Sequence, residues 1–234
     1  MYKCSIKAQL VLDQVRQRCQ SDTQTNNRST GRSGNSMYIN RDNLPKALPR
    51  TNSRFGRWVG HIILKLSGWQ VIGQFPAQGK FVAAVAPHTS NWDFIIALGV
   101  KLSLDIKIQF LGKHTLFVGP LGWLLRKLGG IAVDRTSAHG IVAQVSNTFK
   151  QQETLIVGIA PEGTRKKSAS WKSGFLYIAN QSQVPVVPMA LDYSRKLFVI
   201  MPCETISDDI PRELHRMKQL FPTHFAKYPA NVSD

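Results

Sequence analysis

Acidic residues are scarce in this 234-residue sequence. It has 14 Asp and Glu residues against 30 Lys and Arg residues, which leaves a formal net charge of +16. A folded protein with such an excess repels itself, and this charge is typical of a protein with an anionic partner. Composition leaves three classes of partner open: nucleic acid, an anionic membrane surface and a phosphorylated substrate.

Long apolar runs and cysteine pairs are also missing. The longest uncharged stretch, residues 173–191, contains two Pro, two Gln and one Asn, which a membrane-spanning helix of about 20 apolar residues would not tolerate. The first 20 residues lack the apolar central segment of a secretory signal. Cys4, Cys19 and Cys203 form no CxxC pair, which indicates a reducing compartment without a disulfide or metal site.

Composition divides the chain into three parts. Residues 20–36 contain no large apolar side chain, so they cannot bury enough surface to offset the entropy of ordering. We expect residues 1–36 to be a disordered, basic and dispensable extension. Residues 37–70 form an N-terminal segment in this interpretation, and residues 71–234 form the main domain.

An amphipathic helix is predicted over residues 54–69. Its apolar face carries Phe55, Trp58, Val59, Ile62, Ile63, Leu66 and Trp69, and its opposite side carries Arg54, Arg57, His61 and Lys65. Two Trp residues with cations behind them are typical of a helix that lies in a membrane interface. An amphipathic helix that packs on the domain has the same pattern, so both interpretations stay open.

The rest of the chain alternates short apolar runs with helical patterns. Strands are predicted at 80–86, 106–111, 131–133, 154–159, 184–191 and 197–201, and helices at 92–104, 121–128, 138–150 and 174–180. This alternation predicts an α/β fold, a single domain with a central mixed sheet flanked by helices and preceded by the amphipathic helix. Its active edge is expected where strands end.

Two loops that follow predicted strands carry chemically useful residues. His88 follows the strand at 80–86, and Asp93 lies five residues later. A carboxylate can hold one imidazole nitrogen as N–H and leave the other free to take a proton from a hydroxyl.

The strand at 154–159 leads into Pro161, Glu162, Gly163, Thr164 and Arg165. Gly163 permits a tight turn, and the loop amides with Arg165 can hold an anion.

With these loops the sequence resembles the glycerolipid acyltransferase family typified by 1-acyl-glycerol-3-phosphate acyltransferase, and in particular a small bacterial branch of it. The resemblance covers about residues 54–205. Four blocks of the family are present in order, at residues 88–93, 129–135, 161–165 and 184–188. Ordered co-occurrence of four blocks is a specific signal, whereas the fourth block alone is not.

The resemblance implies the chemistry. Residues 71–234 would be the acyltransferase catalytic domain of a phospholipid-biosynthesis enzyme, with His88 as a general base that Asp93 orients. The acyl donor would be acyl-CoA or acyl carrier protein, and neither a metal nor another cofactor is expected. Arg135 and Arg165, with Lys113, would bind the phosphate of the acceptor, and Glu162 would orient the acceptor or these arginines. The remaining substrate-binding residues are Gly163 and Thr164, and the fourth block would shape the acyl side.

The resemblance also implies partners and a location. The partners would be a lysolipid acceptor, the acyl donor and an anionic membrane surface, with no nucleic acid. The protein would be peripheral, on the cytoplasmic face of a bacterial inner membrane.

Some features depart from the usual pattern of the family and leave the acceptor open. Ala160 stands where an aromatic residue often precedes the third block. One short amphipathic helix stands where many members have a pair of membrane-embedded helices. The acceptor is therefore a lysophosphatidic-acid-like lipid or another lipid, such as a lyso-aminolipid. A different class also stays open, namely a non-catalytic basic protein that binds membranes or nucleic acid.

Overall fold

A computed structural model describes residues 38–133, 138–168 and 170–233, which build one sheet with helices on both faces. The strands are β1 (Gln70–Gly73), β2 (Lys80–Ala86), β3 (Ile108–Lys113), β4 (Gly130–Val133), β5 (Leu155–Ile159), β6 (Val186–Asp192) and β7 (Leu197–Ile200). The helices are α1 (Arg54–Ser67), α2 (Asn91–Ser103), α3 (Gly119–Lys127), α4 (Ala138–Gln151), α5 (Gly174–Ser182) and α6 (Ile210–Lys218). The predicted α/β architecture is confirmed.

The sheet is mixed, and its strand order is β1-β7-β6-β2-β5-β3-β4. From β6 through β2, β5 and β3 to β4, every neighbouring pair is parallel. The β6–β7 pair is antiparallel, and β1 is parallel to β7. The five parallel strands therefore end at a common edge, which we call the carboxyl edge.

Each predicted strand and helix is present, and its ends agree with the prediction to within two residues. Strand β1 was not predicted; it has only four residues and pairs with β7, a strand more than a hundred residues later in the chain. A short strand whose partner is so distant has no local pattern that distinguishes it from a loop.

Two apolar cores lie on the two faces of the sheet. On one face, α4, α5 and α6 pack on residues of β2, β5 and β6 that include Val82, Val157 and Val186. On the other face, α2 packs on residues that include Phe81, Ile156 and Met189. Helix α1 forms an outer layer against α2.

The contact between α1 and α2 depends on small residues. A Cβ atom added to Gly60 would lie 2.3 Å from the backbone nitrogen of Ser103, and one added to Gly99 would lie 2.7 Å from Cγ2 of Ile63. The backbones of the two helices thus approach closely. Of the two interpretations of the amphipathic helix, packing on the domain is observed for this side of α1.

The opposite side of α1 leaves large apolar side chains in solvent. Leu66 is 83% exposed, Phe55 74% and Trp58 60%. One part of the prediction is wrong: Trp69 does not extend this face. Gly68 ends the helix in a left-handed conformation with φ 73°, which glycine adopts without steric cost, and Trp69 beyond it is buried.

The N-terminal segment is fastened to the domain by Asp105, a fully buried residue just after α2. Its carboxylate accepts hydrogen bonds from the Thr51 hydroxyl and the Ser53 backbone N–H, and it forms ion pairs with Arg41 and Arg57. These partners hold the pKa of Asp105 below its ordinary value despite burial. Arg57, predicted as a cation on the side of α1 opposite its apolar face, is therefore part of this anchor.

Candidate active site

The carboxyl edge brings together the two loops that were singled out in the sequence. His88 lies two residues beyond the end of β2, and Glu162 lies three residues beyond the end of β5. Because β2 and β5 are parallel neighbours, the loops that follow them start side by side.

His88 and Asp93 form the pair that the sequence predicts. Nδ1 of His88 lies 3.3 Å from Oδ2 of Asp93, and the Asp93 side chain is only 1% exposed. The same oxygen accepts the backbone N–H groups of Thr89 and Ser90, each at 2.7 Å. Asp93 therefore completes a capping box at the start of α2 and also contacts the imidazole. This contact leaves Nε2 of His88 as the nitrogen that can accept a proton.

A further contact to Asp93 was not foreseen. The hydroxyl of Tyr193, just after β6, donates a hydrogen bond to Oδ1 of Asp93 at 2.6 Å. The two residues are one hundred positions apart, and no motif links them. Only the pairing of β6 with β2 indicates that the residue after β6 lies near the loop after β2.

Glu162 contacts the backbone of the His88 loop. Its Oε2 accepts the N–H of His88 at 2.6 Å, and the residue is 2% exposed. Burial raises the pKa of Glu162 to about 7, and the charge of Asp93 acts in the same direction, although the hydrogen bond from His88 opposes both. Glu162 was predicted to orient the acceptor or the arginines; the contact observed is with the loop that carries His88.

The rest of the 161–165 loop is a tight turn. Gly163 has φ 67°, in the left-handed region, and its N–H donates to the carbonyl of Ala160 at 3.0 Å. The Pro161 carbonyl accepts the N–H of Lys172 at 2.7 Å. The Thr164 hydroxyl accepts a weaker bond from the N–H of Lys166 at 3.3 Å. The turn predicted from Gly163 is thus present.

Two of the three predicted anion-binding cations lie at or beyond strand ends at the carboxyl edge. Lys113 is the last residue of β3 and is exposed, and Arg165 is exposed on the loop after β5. Within the described part of the chain, neither has a hydrogen bond or ion pair with His88, Asp93 or Glu162. Arg135 lies outside the described residues, two positions beyond the end of β4. Since β3 and β5 are parallel neighbours, Lys113 ends one strand and the loop that carries Arg165 begins at the end of its neighbour.

An apolar cavity extends from the His88–Asp93 pair between α2 and the sheet. Its lining includes Phe94, Ala97, Ile108, Phe110, Met189 and Phe198. The fourth block, residues 184–188, supplies no residue to this lining, whereas Met189, the residue that follows the block, does line the cavity. The lining is mainly apolar, and His88 and Asp93 are among its few polar residues.

Lys101 lines the same cavity farther along α2. It is eight residues from Asp93, which corresponds to roughly 12 Å along the helix axis. Its ammonium donates a hydrogen bond to the carbonyl of Leu128 and faces the ring of Phe110. Burial lowers the pKa of Lys101 to about 8.

The part of the chain that the structure describes has neither a cluster of metal-ligating side chains nor a helix that could span a membrane. In residues 38–133, 138–168 and 170–233, no three His, Cys, Asp or Glu side chains cluster as they would around a metal ion. Over those same ranges, every helix is too short or too polar to cross a bilayer.

These features define an acyltransferase fold with a histidine–carboxylate site. The family model described as Acyltransferase matches residues 69–192, which is more than half of the chain, and the chain therefore belongs to the acyltransferase family. The resemblance inferred from the four blocks is confirmed at this level.

The relatives are lysolipid acyltransferases by name. The sequence is 31% identical over 156 residues to 1-acyl-sn-glycerol-3-phosphate acyltransferase of Escherichia coli (strain K12), a match that covers 61% of this chain and 60% of that protein. It is 36% identical over 89 residues to 1-acyl-sn-glycerol-3-phosphate acyltransferase beta of Homo sapiens, covering 35% and 31%. The chain thus spans about 60% of the length of its bacterial relative.

A solved structure supports the fold. The crystal structure of the 1-acyl-sn-glycerophosphate acyltransferase PlsC from Thermotoga maritima superimposes with a TM-score of 0.50. The superposition covers 71% of this chain and 78% of that chain, at 20% sequence identity.

Proposed function

We propose that this protein is an O-acyltransferase that moves a fatty acyl group from a thioester to the hydroxyl of a lysophosphatidic-acid-like acceptor. The observation that carries the proposal is the His88–Asp93 pair at one end of an apolar cavity. The pair supplies a base, and the cavity supplies a site for the acyl chain. The names of the relatives support a lysolipid acceptor.

The reaction needs no covalent enzyme intermediate. Nε2 of His88 takes the proton of the acceptor hydroxyl while the oxygen attacks the thioester carbonyl carbon. The carbon–sulfur bond then breaks, and the thiolate leaves with the proton that His88 returns. The products are an ester and the free thiol of CoA or acyl carrier protein. Asp93 stabilises the imidazolium that forms between the two proton transfers.

The remaining site residues have supporting roles in this proposal. Lys113, Arg135 and Arg165 bind the anionic head group of the acceptor, and the 163–164 turn next to Arg165 contributes to the same site. Glu162 holds the backbone of His88, so its role is to fix the position of the base. The acyl chain lies along α2 in the apolar cavity.

We also propose that the protein docks peripherally on the cytoplasmic face of an anionic membrane. The exposed side of α1, formed by Phe55, Trp58 and Leu66, is one contact surface, since apolar and aromatic residues flanked by cations favour a membrane interface. A second exposed apolar surface lies on and before α3 and comprises Leu116, Val118, Leu121, Trp123 and Leu124. It follows β3, so it lies on the carboxyl edge where the acceptor must enter.

The test offers labelled acyl-CoA and acyl carrier protein with a panel of lysolipids that includes lysophosphatidic acid and a lyso-aminolipid. His88→Ala should lower kcat by about 10²- to 10⁴-fold, whereas His215→Ala, which removes an exposed imidazole on α6, should not. Both variants should sediment with phosphatidylglycerol vesicles as the wild type does. Unchanged turnover in His88→Ala would refute the assignment of His88 as the base. Turnover only with the lyso-aminolipid would mean that the acceptor is that lipid and not a lysophosphatidic-acid-like one.

A further inference from the structure

The two carboxylate oxygens of Asp93 have different partners. Oδ2 contacts Nδ1 of His88 at 3.3 Å and accepts two backbone N–H groups at 2.7 Å each. Oδ1 accepts the hydroxyl of Tyr193 at 2.6 Å. Within the described part of the chain, Tyr193 supplies the one hydrogen bond to Oδ1, and the contact to His88 is the longest of the four.

Tyr193 is itself fixed from two directions. Its backbone N–H donates to the carbonyl of Phe225 at 2.9 Å. Its ring packs edge-on against Trp69, with ring centroids 4.8 Å apart. The hydroxyl is therefore presented to Asp93 by a residue that has little freedom to turn away.

The Tyr193 hydroxyl keeps its proton and so always acts as a hydrogen-bond donor to Asp93. Burial and the Asp93 carboxylate both raise the pKa of Tyr193 above its ordinary value, so the phenol keeps its proton under all ordinary assay conditions. A phenol that donates to a carboxylate stabilises the negative charge and fixes the plane of the carboxylate. With that plane fixed, Oδ2 stays directed at Nδ1 of His88.

We propose that Tyr193 is a positioning residue whose hydroxyl holds the Asp93 carboxylate against the imidazole of His88. The proposal rests on the function proposed above. Tyr193 lies one residue beyond the end of the family match at Asp192, and it acts on the reaction only through Asp93. Without the hydroxyl, Oδ1 loses its charge-assisted hydrogen bond while Asp93 remains buried, and only the two backbone N–H groups on Oδ2 then hold the carboxylate towards Nδ1.

The primary variant is Tyr193→Phe, which keeps the ring that packs on Trp69. Loss of a hydrogen bond to a charged group should lower kcat roughly 10- to 100-fold, while KM for both substrates stays within about threefold because no substrate contact is removed. Tyr177→Phe, which removes a hydroxyl from the exposed surface of α5, is the matched control and should keep the wild-type kcat. An unchanged kcat in Tyr193→Phe would overturn the proposal.

A double variant separates positioning from a general structural effect. In an Asp93→Asn background, adding Tyr193→Phe should lower kcat by less than about threefold, because the carboxylate through which Tyr193 acts is already gone. The same loss as in the wild-type background would show that Tyr193 acts independently of Asp93, and the proposal would be wrong.

A spectroscopic measurement distinguishes failure of this proposal from failure of the proposed function. The Nδ1 proton of His88, identified in NMR spectra by its absence in His88→Ala, should be protected from exchange in the wild type and exchange faster in Tyr193→Phe. If no lysolipid is acylated but this difference appears, the proposed function fails and the positioning stands. If acylation occurs and the Nδ1 proton behaves identically in both proteins, the positioning fails alone.

Discussion

The two faces of the sheet are covered by similar apolar residues but are filled to different degrees. On the face under α4, α5 and α6, the side chains form a continuous buried core that includes Phe149, Phe175 and Met217. On the face under α2, the core is interrupted by a cavity that begins at the His88–Asp93 pair. We call these the filled face and the cavity face.

The difference separates stability from binding. A close-packed core loses free energy whenever a side chain is removed or enlarged. A cavity lined with apolar groups forgoes some of that packing energy and gains a site for a ligand. Since both faces share the same strands, the filled face can stabilise the sheet on which the cavity face and the catalytic loops depend.

Removing an aromatic ring should have the largest effect, and the effect should differ between the faces. Phe175→Ala, at a fully buried position of α5 next to Trp171, should lower the free energy of unfolding by about 3–5 kcal/mol. Phe94→Ala removes a ring from the cavity wall, where it is only partly buried. It should cost about 1 kcal/mol, because it enlarges a space that already exists.

Urea unfolding followed by circular dichroism measures both losses. Equal losses for the two variants would mean that the cavity wall is as tightly packed as the filled face, and the comparison would fail.

Enlarging a small side chain tests the same contrast in the opposite direction. Ala179→Leu on α5, where Ala179 is fully buried, should lower the free energy of unfolding by about 1–3 kcal/mol, because atoms added to a close-packed core force its side chains out of their preferred positions. Ala97→Leu on α2 projects into the cavity and should cost less than about 1 kcal/mol. It should also shift the preferred acyl donor towards shorter chains, since the cavity becomes smaller.

Unfolding curves and initial rates over a series of acyl-CoA chain lengths are the measurements. An Ala97→Leu protein with the wild-type chain preference would contradict placement of the acyl chain in this cavity.

Local patterns were sufficient for much of the fold. Local sequence identified β2 and β5 by their apolar runs and α1 and α2 by their helical spacing. A buried strand or a buried helix face requires apolar residues at regular positions in the neighbouring sequence. Parallel pairing of β2 with β5 then brings His88 and Glu162 to one edge. The candidate site was therefore largely predictable from strand ends and loop residues.

The parts that were missed depend on contacts between distant residues. Tyr193 reaches Asp93 from one hundred positions away, and Asp105 binds residues 41–57 from across α1 and α2. Trp69 fitted the helical spacing, but Gly68 ended the helix before it. For Tyr193 and Asp105, the deciding contact is made by chain packing, and the sequence near each residue carries no sign of it. For Trp69, the preceding Gly68 is a local signal for the end of a helix, and the apolar spacing through Trp69 concealed it.

The smallest predicted effect on stability concerns Lys101, a buried cation on the cavity face. Burial lowers the pKa of Lys101 from 10.5 to about 8, so between these values the unfolded chain binds more protons than the folded protein and wild-type stability rises with pH. At pH 7, Lys101 is charged in both states, and its desolvation opposes folding. Lys101→Met removes that cost but also leaves the Leu128 carbonyl without its donor.

The two effects of Lys101→Met nearly cancel at pH 7, where the variant should be more stable by about 1 kcal/mol. At pH 10 the neutral lysine still donates to Leu128 without a charge penalty, so the wild type should be the more stable protein. Urea unfolding at both pH values measures this reversal, and Lys107→Met, at an exposed position after α2, should show none. If the difference in free energy of unfolding between the wild type and Lys101→Met does not change with pH, Lys101 is solvated, and water reaches the cavity face near the end of α2.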